Sequence, residues 1–91
     1  MKKWYLFEEV NGDWFETELK AEDQASAALE ADEYWQSLTK HDRNRRTAFF
    51  VGAAEKDEDG IIDFDSITDS VELLSMMRDM FEDEEEIEDE N

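Results

Sequence analysis

The chain has 91 residues, 28 of them Asp or Glu against 9 Lys or Arg, for a formal net charge of −19, and it holds no Cys and no Pro. This length fits one small domain and excludes a large multi-step enzyme, while the missing cysteines exclude disulfides, thiolate nucleophiles and cysteine-based metal centres and fit a reducing compartment. The charge excludes ready binding to nucleic acid or anionic lipid, yet 40% hydrophobic and 12% aromatic residues are too many for a wholly disordered acidic chain.

At the amino end, Trp4-Tyr5-Leu6-Phe7 gives way to Glu8, so the apolar run is shorter than a signal-peptide core, and no later stretch approaches the ~20 apolar residues of a membrane span. The expected setting is the cytoplasm. Residues 3–10 are apolar on both parities, Asn11-Gly12 is a two-residue turn signal, and 13–19 alternates, which predicts a β-hairpin. With Val10 facing Asp13, the pairs Trp4/Leu19, Leu6/Thr17 and Glu8/Phe15 fall on one face. Tyr5/Glu18, Phe7/Glu16 and Glu9/Trp14 fall on the other.

Over 22–38, Ala25, Ala28, Leu29, Trp35 and Leu38 recur at three- and four-residue steps, predicting an amphipathic helix. Thr39 followed by Asp42 has the spacing of a capping box and predicts a short second helical turn. That turn carries Lys40 and Arg43, with Arg45 and Arg46 close behind, a basic cluster expected to satisfy the protein's own acids. Phe49-Phe50-Val51 opens a third strand to about Ala54, Asp57-Glu58-Asp59-Gly60 reads as a turn, and Ile61, Ile62 and Phe64 make a fourth strand. A last helix over about 70–82, capped by Asp69 or Ser70, carries Val71, Leu73, Leu74, Met76, Met77, Met80 and Phe81. The fold class is therefore α+β in the order ββαββα, a four-stranded antiparallel sheet with its main helix on one face. Residues 1–81 form a single domain, and 82–91, with eight acids and one apolar side chain, form an acidic tail expected to be disordered.

Catalytic signals are weak, and an activity as an enzyme is not expected. His41, the single histidine, lies among four cations that oppose its service as a base. No glycine-rich phosphate loop is present, and carboxylate pairs are unspecific in a chain with 28 of them. Glu55-x-Asp57-x-Asp59-Gly60-x-Ile62 fits much of a calcium-loop pattern, but Glu55 stands where Asp is expected and Ser66 where a bidentate Glu is needed. A hairpin loop with adventitious affinity for divalent ions is the better reading, and no metal or cofactor is assigned.

Charge is polarised: residues 1–54 hold 11 acids and 7 bases, residues 55–91 hold 17 acids and 2 bases. If Glu16, Glu18, Asp63 and Asp65 share the sheet's uncovered face, flanked by Asp57, Glu58 and Asp59, that face is either an ordinary solvated surface or a lattice of negative charge. Carboxylates at i and i+2 on a strand stand about 6.8 Å apart, against one phosphate per ~3.4 Å of each DNA strand. A site built to hold nucleic acid with Arg and Lys would accept such a face, with Tyr5, Phe7 and Trp14 as aromatic anchors.

In size, charge, lack of cysteine and element order the chain resembles the small acidic proteins of phages and mobile elements that act as DNA-mimic inhibitors of restriction and CRISPR effectors. The stretch from Phe49-Phe50-Val51-Gly52 through Asp57-Glu58-Asp59-Gly60-Ile61-Ile62-Asp63-Phe64-Asp65 looks like one common in proteins of that kind. The resemblance implies a host-directed inhibitor that binds a nuclease or other DNA-handling protein and blocks its nucleic-acid channel. The competing expectation is an acidic homodimeric interaction module that binds a basic partner, dimerising through the Met-rich last helix, with the alternative that this helix simply covers the sheet. Truncation after Met80 separates binding by the sheet from binding by the tail.

Overall fold

A computed structural model describes residues 2–77. Four strands, β1 (Lys3–Val10), β2 (Asp13–Glu18), β3 (Arg46–Lys56) and β4 (Ile62–Glu72), form one antiparallel sheet in the order β2-β1-β3-β4. Helices α1 (Gln24–Ser37) and α2 (Lys40–Asn44) connect the two hairpins. The fold is α+β, as the element order predicts.

The first hairpin is built by its turn. Asn11 and Gly12 both adopt positive φ, 54° and 90°, the conformation a two-residue turn needs to match the strands' twist. The register that follows pairs Tyr5 with Glu18, Phe7 with Glu16 and Glu9 with Trp14, as the turn dictates. Helix α1 starts where the Asp23 carboxylate accepts from the Ser26 N–H (2.8 Å), and α2 where Thr39 accepts from the Asp42 N–H (3.1 Å). Arg43 closes α1 from below, its Nε donating to the Trp35 carbonyl (3.1 Å) and its Nη2 to that of Gln36 (3.3 Å).

Helix α1 covers one face of the sheet, but with a different stripe from the one expected. Ala27, Ala31 and Trp35 are buried against Leu6, Phe49, Val51, Leu73 and Met77, whereas Ala25 is exposed and Leu29 is 65% exposed. The reason is steric: two alanines one turn apart let the helix backbone approach the sheet, and the Trp35 ring then reaches Phe49 edge-on at 4.9 Å. In an Ala-rich helix neighbouring apolar phases overlap, and the phase that inserts the largest ring wins.

The opposite face is not an open polar surface. Tyr5 and Phe7 are 3% and 0% exposed there, packed with Ala54, Ile62, Phe50 and Ile67 in a second core. Strand β4 supplies the cover. It runs past the expected end of the fourth strand to Glu72, and between the pairs Ala53/Thr68 and Glu55/Asp63 it advances five residues while β3 advances two. This bulge lets Ile67 fold back over Gly52, where a side chain is excluded because a Cβ would stand 2.9 Å from Ile67 Cγ2. Asp69 and Ser70 are accordingly strand residues and cap no helix; a helical turn follows over 74–77, with the Glu72 carboxylate accepting from the Ser75 N–H (3.2 Å). The remainder of the expected last helix, with Met80 and Phe81, and the acidic segment 82–91 lie outside the described residues. Among the described residues no helix is long and apolar enough to cross a membrane.

Candidate partner-binding surface

The expected site divides. Glu16 and Glu18 lie on β2 at one edge of the sheet, Asp63 and Asp65 on β4 at the other. They also point to opposite sides. Glu16 stands across from Phe7 and thus shares the face of Phe7, Phe50 and Ile62, whereas Asp63 pairs with Glu55, two places from Ala53 and four from the helix-covered Val51. The single four-carboxylate face is therefore corrected, because the parity of Ile62 places it with the second core and turns its neighbour Asp63 to the helix side. Asp63 and Asp65 instead shape the bulge, the Asp63 Oδ1 accepting from the Asp65 N–H (3.0 Å) and its carbonyl from the Ser66 hydroxyl (2.6 Å). The Ser66 hydroxyl accepts from the Glu55 N–H (2.8 Å).

The aromatic anchors are likewise redistributed. Tyr5 and Phe7 lie beneath the surface and are not available to a partner, since β4 and Phe50 cover them. Trp14 remains 46% exposed. Beside it stand two rings not assigned from the sequence, Phe50, half-buried, and Phe64, 51% exposed, and the three line one apolar depression. Phe64 shows alternation with Asp63 and Asp65 in the sequence, but its place beside Trp14 follows from the β4 bulge, which no local pattern signals.

In the β3–β4 turn the Asp57 carboxylate serves the backbone, accepting from the N–H groups of Asp59 (2.9 Å) and Ile61 (3.0 Å), with Gly60 at φ 83°. Glu58 and Asp59 are exposed at the tip. Among the described residues no group of three or more His, Cys, Asp or Glu side chains converges where a metal ion would sit.

The basic cluster serves the protein's own acids and carbonyls. Arg46 donates from Nε to Glu8 Oε1 (2.8 Å), from Nη1 to the Asp42 carbonyl (2.6 Å) and from Nη2 to the Tyr34 hydroxyl (3.0 Å). Burial works to lower the Arg46 pKa, but the hydrogen bonds with Glu8 and Tyr34 outweigh it and hold the guanidinium above its ordinary value. Burial raises the Tyr34 phenol above its usual range. Arg45 pairs with Asp42 at 3.5 Å, and Lys3 with Glu18 at 3.3 Å, both in solvent, where such pairs are weak.

The anionic surface is thus carried by an ordered scaffold. Residues 2–77 hold 19 Asp and Glu against 8 Lys and Arg, a net charge of −11, and among them Glu8 is the buried carboxylate. On the face away from α1 one row runs Glu16, Phe7, Phe50, Glu72 across all four strands, with Trp14 and Glu9 paired one step along. Comparison of the chain with protein-family models, with curated proteins and with solved structures returned no match.

Proposed function

We propose that this protein inhibits a nucleic-acid-binding enzyme, a defence nuclease such as a CRISPR effector or restriction enzyme, by occupying the surface that holds nucleic acid. The observation that carries this reading is the net charge of −11 on the folded residues 2–77, with their acids overwhelmingly in solvent. A basic groove is the common protein surface whose potential matches it. Glu16 and Glu18 stand about 6.8 Å apart along β2, the axial distance between phosphates two steps apart on one DNA strand at ~3.4 Å per step.

The test is affinity capture of the full chain's partner from cells that contain defence systems, followed by competition with duplex DNA or guide RNA. A captured nucleic-acid enzyme displaced by the competing nucleic acid supports occlusion, and one whose nucleic-acid binding is unaffected overturns it. Reversal of Glu16 and Glu18 together to Lys weakens binding at least tenfold more than reversal of Glu84 and Glu85. Equal losses overturn a defined surface.

A second reading, an acidic homodimeric interaction module, is favoured by one observation. Leu29, 65% exposed, and Met76, 53% exposed, line an apolar groove with Ala25, Ala28 and Leu73 between α1 and the turn at 74–77. Sedimentation of a dimer that Leu29→Lys converts to monomer supports it, and a monomer at all concentrations removes it.

A further inference from the structure

We propose that the depression lined by Trp14, Phe50 and Phe64 is a receptor for an arginine guanidinium presented by a basic protein segment. The inference rests on the proposed function and names the group on the partner that this surface takes.

Among the described residues the depression, about 310 Å³, is lined by Trp14, Phe50 and Phe64. Its floor is packed from below: Phe50 stacks on the fully buried Phe7 with centroids 4.9 Å apart and planes 17° apart. Trp14 meets Phe50 edge-on at 6.1 Å and 71°, and Phe64 leans on Phe7 at 5.8 Å. Single exposed aromatics are ordinary on a protein surface, but three that converge on one concavity, with their supports fixed from below, mark a place where another group docks.

Charge selects the group. Glu9 is directly across from Trp14, Glu72 directly across from Phe50, and Glu16 lies two residues from Trp14 on the same face. Each ring face is the negative side of its quadrupole, so rings and carboxylates attract the same sign. Nucleobases also stack on aromatic platforms, but their phosphates would meet these three acids. An apolar side chain would leave the negative charge of these carboxylates uncompensated. Lys56, which β3 carries on the same face, lies six residues from Phe50 and sits 5.9 Å over the Tyr5 ring, away from the depression. Between the two cationic side chains the open, flat-walled shape favours arginine, whose planar and weakly hydrated guanidinium stacks on a ring while its fork of donors reaches a neighbouring carboxylate. Glu72 spends one oxygen on the Ser75 N–H and Glu9 one on the Thr47 hydroxyl (3.0 Å), which leaves each the other oxygen to accept from a guanidinium.

The experiment uses the full chain with two free peptides of equal charge, hexa-arginine and hexa-lysine, and reads affinity by calorimetry and the Trp14 indole and Phe50 and Phe64 ring signals by NMR. Hexa-arginine is expected to bind about fivefold or more tightly than hexa-lysine, with the largest shifts in the three rings. Trp14→Ala and, independently, Phe64→Ala should each cut hexa-arginine affinity about fivefold and bring the two peptides level, while Trp14→Phe retains most of the preference. Equal affinity of the parent protein for the two peptides overturns the proposal. So does an unchanged hexa-arginine affinity in whichever of the alanine variants keeps its circular dichroism spectrum. Because the probe is a peptide, failure to capture a nucleic-acid enzyme overturns the functional reading without touching this result, and ring-independent peptide binding overturns the receptor without touching that reading.

Discussion

The two faces of the sheet are built from the same strands yet closed by different means. On one, α1 lays Ala27, Ala31 and Trp35 over Leu6, Phe49 and Val51, which are fully covered, while Phe15 on the edge strand β2 stays 51% exposed. On the other, β4 doubles back over Tyr5 and Phe7 with a bulge, and the closure stops short, leaving Trp14, Phe50 and Phe64 at its margin. A helix is a wide lid and a bulged strand a narrow one. The aromatic surface left over on the second face is what makes it available for recognition, while the first face is spent on stability.

If that contrast holds, the largest effect comes from the ring under the wide lid. Trp35 is 1% exposed, and Trp35→Ala should cost about 3–5 kcal/mol in chemical denaturation, enough to unfold a marginal small domain. The indole N–H of Trp35 is buried and has no hydrogen-bond partner among the described residues, and the ring's volume and its contact with Phe49 are what the variant removes. Trp14→Ala, at the margin of the narrow lid and edge-on against Phe50, should cost only about 1 kcal/mol. A comparable loss at Trp14 would mean that the second face is closed after all.

The helix-covered face also carries the buried ion pair. Glu8 and Arg46 side chains are 5% and 10% exposed at 2.8 Å. Glu8→Ala should cost about 3 kcal/mol because it removes the counter-charge of a desolvated guanidinium, whereas the double variant Glu8→Leu with Arg46→Met should recover most of that loss. Recovery is the informative arm, since it shows that the pair is tolerated in the packing and is not itself a net source of stability.

On the second face the corresponding weak point is backbone. Gly52→Ala brings a methyl within 2.9 Å of Ile67 Cγ2 and 3.4 Å of Ser70 Cβ, and should cost about 1–3 kcal/mol as the bulge is pushed off Tyr5. Accompanying exposure of the Tyr5 and Phe7 signals with an unchanged α1 core would show the two closures to be independent.

Much of this was legible from local chemistry. Asn11-Gly12 sets the first register pair by pair, and Thr39 with Asp42 marks α2, because turns and caps are decided by residues that touch one another along the chain. The two faces were not legible for a related reason. Residues 4–7 are apolar on both parities, which is what a strand between two cores looks like, but the second cover comes from Ile67 and Phe64, some sixty residues away and placed by a bulge. The same bulge, with the parity of Ile62, separates Asp63 and Asp65 from Glu16 and Glu18. Alternation assigns faces only as far as the register runs without interruption.

The smallest expected effect concerns the end of the wide lid. Asp23 caps α1, and the hydrogen bond from the Ser26 backbone holds its carboxyl below the ordinary aspartate value. A depressed folded-state pKa means that the ionised form is bound more favourably in the folded protein. The cap's contribution is therefore present above the ordinary aspartate range and is lost as pH falls through the folded value. Mutual repulsion of the acids runs the other way. With a formal charge of −19, added salt or a mild fall in pH from neutrality should raise the melting temperature by screening or removing that repulsion. The two effects predict a melting temperature that rises as pH is lowered from 7, passes a maximum, and falls once Asp23 protonates. Asp23→Asn keeps a capping acceptor without the charge, so it should flatten the acid limb while leaving the salt response of the parent intact. A parent melting temperature indifferent to salt would show the carboxylates already compensated, and an unchanged acid limb in Asp23→Asn would assign that limb to groups other than the α1 cap.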